Sequence, residues 1–346
     1  MSASIPIALV GMSGVMQDAH IPNLLEMNFS PQPPFTIAAI CDRDPALAIG
    51  VSDALRVERM TFEAICADSR IPAVLIATPP NTHLALLEQA LRAGKHVFME
   101  KPLAFSISEA ERMAELAREA KTVVRLGYMF RHHADAQQAN RRLRDGAIGT
   151  PLTCINTVQS SLDPVWPRRF PTPEKEFRWG APDPEDPDKL SFDMWSDNSV
   201  HYLNVMQWWF GPVEAVFAHW RAAGSMMMLR YKSGVHATHV FSPVKLVERR
   251  DFTVFGTEGM MEVTLHYPFQ RNIMGRYMEL STNDRLQKEA ARDHSDMYRN
   301  ELVAFAEAIR KNDVAHQAED FSMGAHDMKT VKAAHRSDKS GKEEAV

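Results

Sequence analysis

The sequence predicts an α/β domain on a parallel, doubly wound sheet, followed by an α+β domain with an open-faced, mostly antiparallel sheet. Three observations predict this. Short apolar runs alternate with helical patterns over the first 130 residues. Closely spaced strand-like runs, separated by turn signals, follow beyond residue 150. With 346 residues, the chain is too long for one small core.

The runs "IPIALV" (5–10), "FTIAAIC" (35–41), "AVLIAT" (73–78), "HVFME" (96–100) and "VVRLGY" (123–128) have the composition of strands buried on both faces. Helical patterns lie between them, at "THLALLEQALRAG" (82–94) and "SISEAERMAELAREA" (106–120). Asn81 is read as the N-cap of the first and Gly94 as its end; Ser106 and Glu109 form a capping box on the second. Strands of this kind, alternating with helices, build a parallel Rossmann-type sheet.

A Pro-, Asp- and Arg-rich excursion occupies 163–190, and Arg168, Arg169 and Arg178 within it are candidates for an anionic substrate group or a subunit contact. Strand patterns follow at 213–220, 225–231, 235–241, 251–256 and 259–266, with turn signals at Ser233-Gly234 and Glu258-Gly259. Tyr298, Leu302, Phe305 and Ile309 then form one apolar helical stripe. The expected domains are 1–130 and 131–335, with a solvated tail over 336–346.

A net charge of -5 with both signs interspersed leaves no basic face for nucleic acid. No apolar segment approaches the length of a membrane span, and the N-terminus has no basic stretch before its apolar run. Three widely spaced cysteines, Cys41, Cys66 and Cys154, suit a reducing compartment, so a cytoplasmic location is expected.

Directly after the first strand comes "GMSGVMQDAH", with Gly11 and Gly14 in the first two glycine positions of a dinucleotide turn and Met16 in the third. Gly11, Ser13, Gly14, Val15 and Met16 are the expected pyrophosphate-binding turn, opening a helix whose N–H groups face the ligand. Asp42 ends the second strand and is expected to grip the ribose hydroxyls; the insert "FSPQPP" (29–34) explains its late position. A carboxylate there repels a 2′-phosphate and favours NAD, while neighbouring Arg43 keeps NADP open.

"FMEKPLAF" (98–105) sets Lys101 at the end of the fourth strand, where ligands of parallel sheets bind, with Pro102 constraining its direction. "WSDNSVHYLNVMQWWFG" (195–211) sets Asp197 and His201 one helical turn apart. Such a pair suits acid–base catalysis, since histidine titrates near neutrality and a carboxylate orients it. The same residues also read as an ordinary polar helix end, with Asp197 or Ser199 as N-cap. Tyr202, Val205 and Trp209 form an apolar stripe that anchors the helix. His132-His133 and "HATH" (236–239) lack one-sided spacing and are read as structural or surface residues, with His132 also a candidate to line the pocket, so no metal site is expected. Met226 to Met228 and Met260-Met261 are read as sheet core.

Taken in order, "ATPPNTH" (77–83), "EKP" (100–102), "GYMFRHH" (127–133), the D-x-x-x-H of 197–201 and "VFGTEGMMEV" (254–263) resemble the Gfo/Idh/MocA family of NAD(P)-dependent oxidoreductases. The resemblance runs from residue 5 to about 335. It implies that Thr78, Pro79, Asn81, His83, Glu100 and Lys101 contact the cofactor. It also makes Lys101, Asp197 and His201 catalytic, puts Arg131 near the substrate, and makes the Lys101–Pro102 bond a cis candidate. Trp195, which the resemblance does not cover, reads either as a ring that stacks on a sugar substrate or as packing. The implied substrate is a sugar, amino-sugar, cyclitol or nucleotide-linked sugar, and the implied assembly a dimer or tetramer through the C-terminal sheet. One departure stands out: "SFDMW" (191–195) and Ser199 occupy positions where relatives carry glycines. A redox-neutral enzyme with tightly held NAD and a non-catalytic dinucleotide-binding regulator are the alternative readings.

Overall fold

The computed structural model describes residues 3–12, 14–160, 194–221, 224–244, 249–266, 277–282, 285–290 and 296–346. Ser13 and the 163–190 excursion with its three arginines lie outside the described residues. The chain forms two compact units.

The first unit holds six parallel strands among the described residues. They are β1 (Ile5–Val10), β2 (Phe35–Cys41), β3 (Glu58–Arg59), β4 (Ala73–Ile76), β5 (His96–Glu100) and β6 (Val124–Gly127). Their order is β3-β2-β1-β4-β5-β6, so connections reverse direction between β1 and β4 and open a crevice at the strand ends there. All four residues of β4 are buried, as the unbroken apolar run requires. Helices α1 (Ile21–Met27), α2 (Pro45–Leu55), α3 (Phe62–Ala67), α4 (His83–Arg92) and α5 (Ile107–Glu119) connect the strands.

Two local expectations resolve differently. Ser106 Oγ caps α5 by accepting the Glu109 N–H at 3.3 Å. Asn81, however, does not cap α4: it is exposed within a 3-10 turn, Pro80–Thr82, whose geometry already satisfies the Thr82 N–H at Pro79 O.

Helix α8 (Met297–Lys311) corrects the expected domain boundary, because Tyr298–Ala325 belongs to the first unit. Phe305 stacks on Phe35 at 5.6 Å and meets Phe98 edge-on at 5.6 Å. The apolar stripe predicted for this helix is thus matched by the flank of the parallel sheet, and each such buried side chain contributes about 1.5–3 kcal/mol. Gln317 adds a polar tie, accepting the Val124 N–H at 3.0 Å and donating to Ala117 O at 2.9 Å.

The second unit begins at Tyr128 and includes α6 (Ala134–Arg144), α7 (Met194–Phe210) and the 326–340 part of α9 (Gln317–Ser340). Its sheet holds nine strands among the described residues. They are β7 (Pro151–Ser160), β8 (Val213–Arg221), β9 (Gly224–Tyr231), β10 (His236–Pro243), β11 (Arg249–Gly256), β12 (Gly259–Thr264), β13 (Tyr277–Thr282), β14 (Arg285–Ala290) and β15 (Glu344–Ala345). The order is β14-β13-β12-β11-β7-β10-β9-β8-β15, antiparallel throughout except for the β7–β10 pair. Strand β7, which the sequence reading passed over, alternates Cys154, Asn156 and Val158 inward with Ile155 outward.

The period-two geometry also splits the methionines. Met227 and Met261 fill the core as expected, but Met226 and Met228 stand on the outer face, 42% and 51% exposed.

The expected solvated tail is folded, although most of its residues stay exposed. Helix α9 continues to Ser340, and Glu344–Ala345 pairs with the edge strand β8. Ser337 is buried, accepts the Ala218 N–H at 2.9 Å and donates to Lys342 O at 2.5 Å. Polar composition hid this because the contacts are backbone hydrogen bonds that close an open sheet edge. Among the described residues, no helix is long and apolar enough to cross a membrane.

Candidate active site

The dinucleotide turn is built on steric necessity. Gly11 has φ +88°, and a Cβ there would lie 2.6 Å from the Ala77 carbonyl oxygen. The ends of β1, β2 and β4 are stitched at this point, Gly11 N–H donating to Cys41 O at 2.9 Å and Ala77 N–H to Val10 O at 2.8 Å. Gly14 has φ +48° and nothing within 4 Å of its would-be Cβ, so the turn presents open space. Its carbonyl accepts from Gln17 and Asp18, starting the π-turn Met16–His20 that feeds α1. Val15 is half-buried, whereas Met16 turns its side chain into the core and leaves only backbone for a ligand.

Asp42 Oδ2 accepts the Met12 N–H at 2.6 Å, and Oδ1 accepts the Asp44 N–H at 2.7 Å. Each oxygen keeps another lone pair for a ribose hydroxyl. Arg43 beside it is exposed. A left-handed glycine turn, open space above it and a half-buried carboxylate at the adjacent strand end fit a nicotinamide dinucleotide.

The loops after β4 and β5 divide their residues between surface and scaffold. Thr78 and Pro79 are half-buried and Asn81 is exposed. His83 is buried, its ring nitrogens 2.9 Å from Thr78 O and 3.1 Å from Leu103 O. Burial pushes its pKa down. It braces the two loops against each other and does not line their surface, unlike the cofactor contact expected of it. Glu100 is likewise buried: Oε1 lies 2.6 Å from His20 Nε2, and Oε2 accepts the Lys101 N–H at 3.1 Å. Glu100 therefore orients the backbone that presents Lys101. Lys101 itself is half-buried, and its peptide bond to Pro102 is cis.

His20 was not singled out from the sequence; nothing local marks a histidine whose partner lies 80 residues away. Among the described residues, His20, Glu100 and Glu301 bring ligand-type atoms within 4.8 Å of one another. The His20–Glu100 contact at 2.6 Å has the length of a hydrogen bond.

In the second unit, α7 carries Asp197 and His201 on successive turns. The helix begins at Met194, so Asp197 lies inside the first turn and is not the N-cap; a carboxylate there is stabilised by the helix dipole. His201 is 8% exposed and is walled edge-on by Phe130 at 5.6 Å and Tyr128 at 6.2 Å. Arg131 is half-buried on the same 3-10 turn as Phe130, Met129–His132. Trp195 falls in the first turn of α7, with its side chain outside the described residues, as is Asp193.

Ser199, between the two candidate residues, locks the helix to the sheet. Its hydroxyl lies 3.0 Å from His239 Nε2, and His239 Nδ1 lies 2.6 Å from Asn156 Oδ1. Asn156 Nδ2 donates onward to Asp251 O at 2.9 Å. Burial pushes His239 down to about 3, so the ring is neutral. Asn156 Oδ1 can only accept, which assigns the proton to Nδ1 and makes Nε2 the acceptor of the Ser199 O–H. Tyr202 stacks on the same imidazole at 5.6 Å, and Trp209 meets Phe252 edge-on at 5.0 Å, realising the anchoring stripe.

His133 is structural, 2.6 Å from His266 and pushed by burial to about 3. His236 is exposed and His239 buried, as opposite faces of a strand require.

Residues 5–128 match the Gfo/Idh/MocA oxidoreductase model described as an NAD-binding Rossmann fold, and 136–262 match a C-terminal domain model of the same family. D-xylose 1-dehydrogenase (NADP(+)) 2 of Haloferax volcanii is 26% identical over 316 residues, covering 88% of this chain and 90% of that protein. Levoglucosan dehydrogenase, solved with NADH and levoglucosan, superposes with TM-score 0.74 at 19% identity, covering 99% of each chain. A 3-ketoreductase from Actinomadura kijaniata, solved with NADP and TDP-benzene, gives TM-score 0.74 at 21% identity, covering 96% of this chain and 98% of that one. These two likenesses establish the fold, and the two successive family matches establish membership: the chain belongs to the Gfo/Idh/MocA family of NAD(P)-dependent oxidoreductases.

Proposed function

We propose that this protein is a dehydrogenase or reductase interconverting a secondary hydroxyl and a ketone on a sugar, amino-sugar, cyclitol or nucleotide-linked sugar. The observation that carries the reading is the strand-end turn at the switch point, where Gly11 alone fits beneath Ala77 and Asp42 closes the adjacent loop. A nicotinamide dinucleotide held there supplies the two-electron acceptor or donor.

This chain's residues supply the rest. His201 takes the hydroxyl proton in oxidation and returns it in reduction. Asp197 stabilises the cationic form of that imidazole. The Lys101 ammonium stabilises charge on the reacting oxygen. Asp42 favours NAD over NADP by opposing a 2′-phosphate. Relatives named D-xylose 1-dehydrogenase, levoglucosan dehydrogenase and 3-ketoreductase support the substrate class.

A panel of sugars and cyclitols, assayed with NAD and NADP by reduced-nicotinamide absorbance, tests the reading. Lys101→Ala and His201→Ala are expected to lower kcat by about 10²–10⁴-fold. Unchanged turnover in both would end it, and turnover without net cofactor reduction would move the protein to redox-neutral chemistry.

Association and location belong to the same proposal. Ile155, Met226, Met228 and Phe255 give the outer sheet face an exposed apolar surface that a second copy of the chain would cover. Light scattering on Met228→Glu should show a smaller species than the parent protein, and an identical mass would refute this contact. Three free cysteines suit the reducing cytoplasm.

A further inference from the structure

We propose that Asp327, on α9, is the positioning residue for His201. Its carboxyl is 1% exposed and lies against the helix that carries the imidazole. Oδ2 accepts Asn204 Nδ2 at 2.6 Å, and Oδ1 accepts Gln207 Nε2 at 3.1 Å. Both donors sit on the turns of α7 that follow His201. The Tyr128 hydroxyl faces the same carboxyl, while the Tyr128 ring stands at 88° to the His201 imidazole. One side chain therefore holds the helix that carries His201 and faces the hydroxyl of the ring that walls it.

The groups turned toward this carboxyl come from several elements: Tyr128 and Arg131 after β6, Asn204 and Gln207 on α7, and the buried Tyr231 on β9. Asp197 in turn acts on Tyr128. Burial dominates over these partners and pushes the Asp327 carboxyl up to about 8, so it carries a proton at neutral pH. Once Asp327 ionises, it can only accept, and the Tyr128 hydroxyl that faces it is placed to donate. The charge beside the wall of the imidazole thus changes with pH, although neither residue exchanges a proton with substrate.

This inference rests on His201 being the catalytic base, and the test separates the two. The kcat–pH curve of the parent protein should carry an inflection near 8. Asp327→Asn should remove it and lower kcat roughly tenfold, with cofactor affinity and thermal midpoint retained. Tyr128→Phe, which deletes only the facing hydroxyl that favours the ionised carboxyl, should move the same inflection to higher pH, and the double variant should lose no more than Asp327→Asn alone. If Asp327→Asn fails to fold, Tyr128→Phe decides. A parent-like alkaline limb in the folded variants, or losses that simply add, overturns the role of Asp327. Undiminished activity in His201→Ala overturns instead the assignment of the base.

Discussion

The Met12 N–H donates to Asp42 Oδ2 at 2.6 Å, so one carboxylate ties the loop after β1 to the loop after β2. Asp42→Ala should therefore do two things at once. It removes the ribose acceptor and loosens the turn beneath it, a loss of about 1.5–3 kcal/mol for a charged hydrogen bond. NAD affinity, measured by calorimetry, should fall at least roughly tenfold, and NADP affinity should fall less because the repelling charge is gone.

The two turn glycines should respond unequally to alanine. At Gly11, left-handed backbone strain of about 1–3 kcal/mol adds to a collision with Ala77 O, so urea denaturation should show a marked loss of stability. At Gly14, where a Cβ meets nothing, only the backbone cost of about 1–2 kcal/mol applies.

Acid should weaken the fold through buried histidines. His133 and His239 are pushed by burial from 6.5 to about 3. Below 6.5 the unfolded chain binds protons that the folded chain refuses until about 3, so stability is complete above 6.5 and declines toward 3. Each contributes about 1.4 kcal/mol per pH unit in that window. Urea midpoints should fall from neutral to mildly acidic pH, and less steeply in His239→Gln.

Ser337→Ala should destabilise the second unit. It leaves the buried Ala218 N–H without its acceptor, a cost of about 1–3 kcal/mol. The thermal midpoint should drop while cofactor affinity stays unchanged; an unaltered midpoint would show that the C-terminal pairing adds nothing to stability.

What the sequence determined by itself is local. Unbroken apolar runs specify strands buried on both faces, left-handed turns specify Gly11 and Gly14, and helical spacing puts Asp197 and His201 on successive turns. These follow from backbone geometry and side-chain periodicity over a few residues, and a short window reads them. The tertiary structure decided every matter of distant partnership. It moved α8 to the parallel sheet, closed the C-terminal strand onto β8, and turned His83 and Glu100 from surface contacts into braces. It also joined Asp327 to Asn204 across 123 residues. Burial and hydrogen-bond pairing depend on which segments meet in space, and no local pattern encodes that meeting. Asp197 and His201 could be read from five residues of sequence; the shell that holds them required the whole second unit.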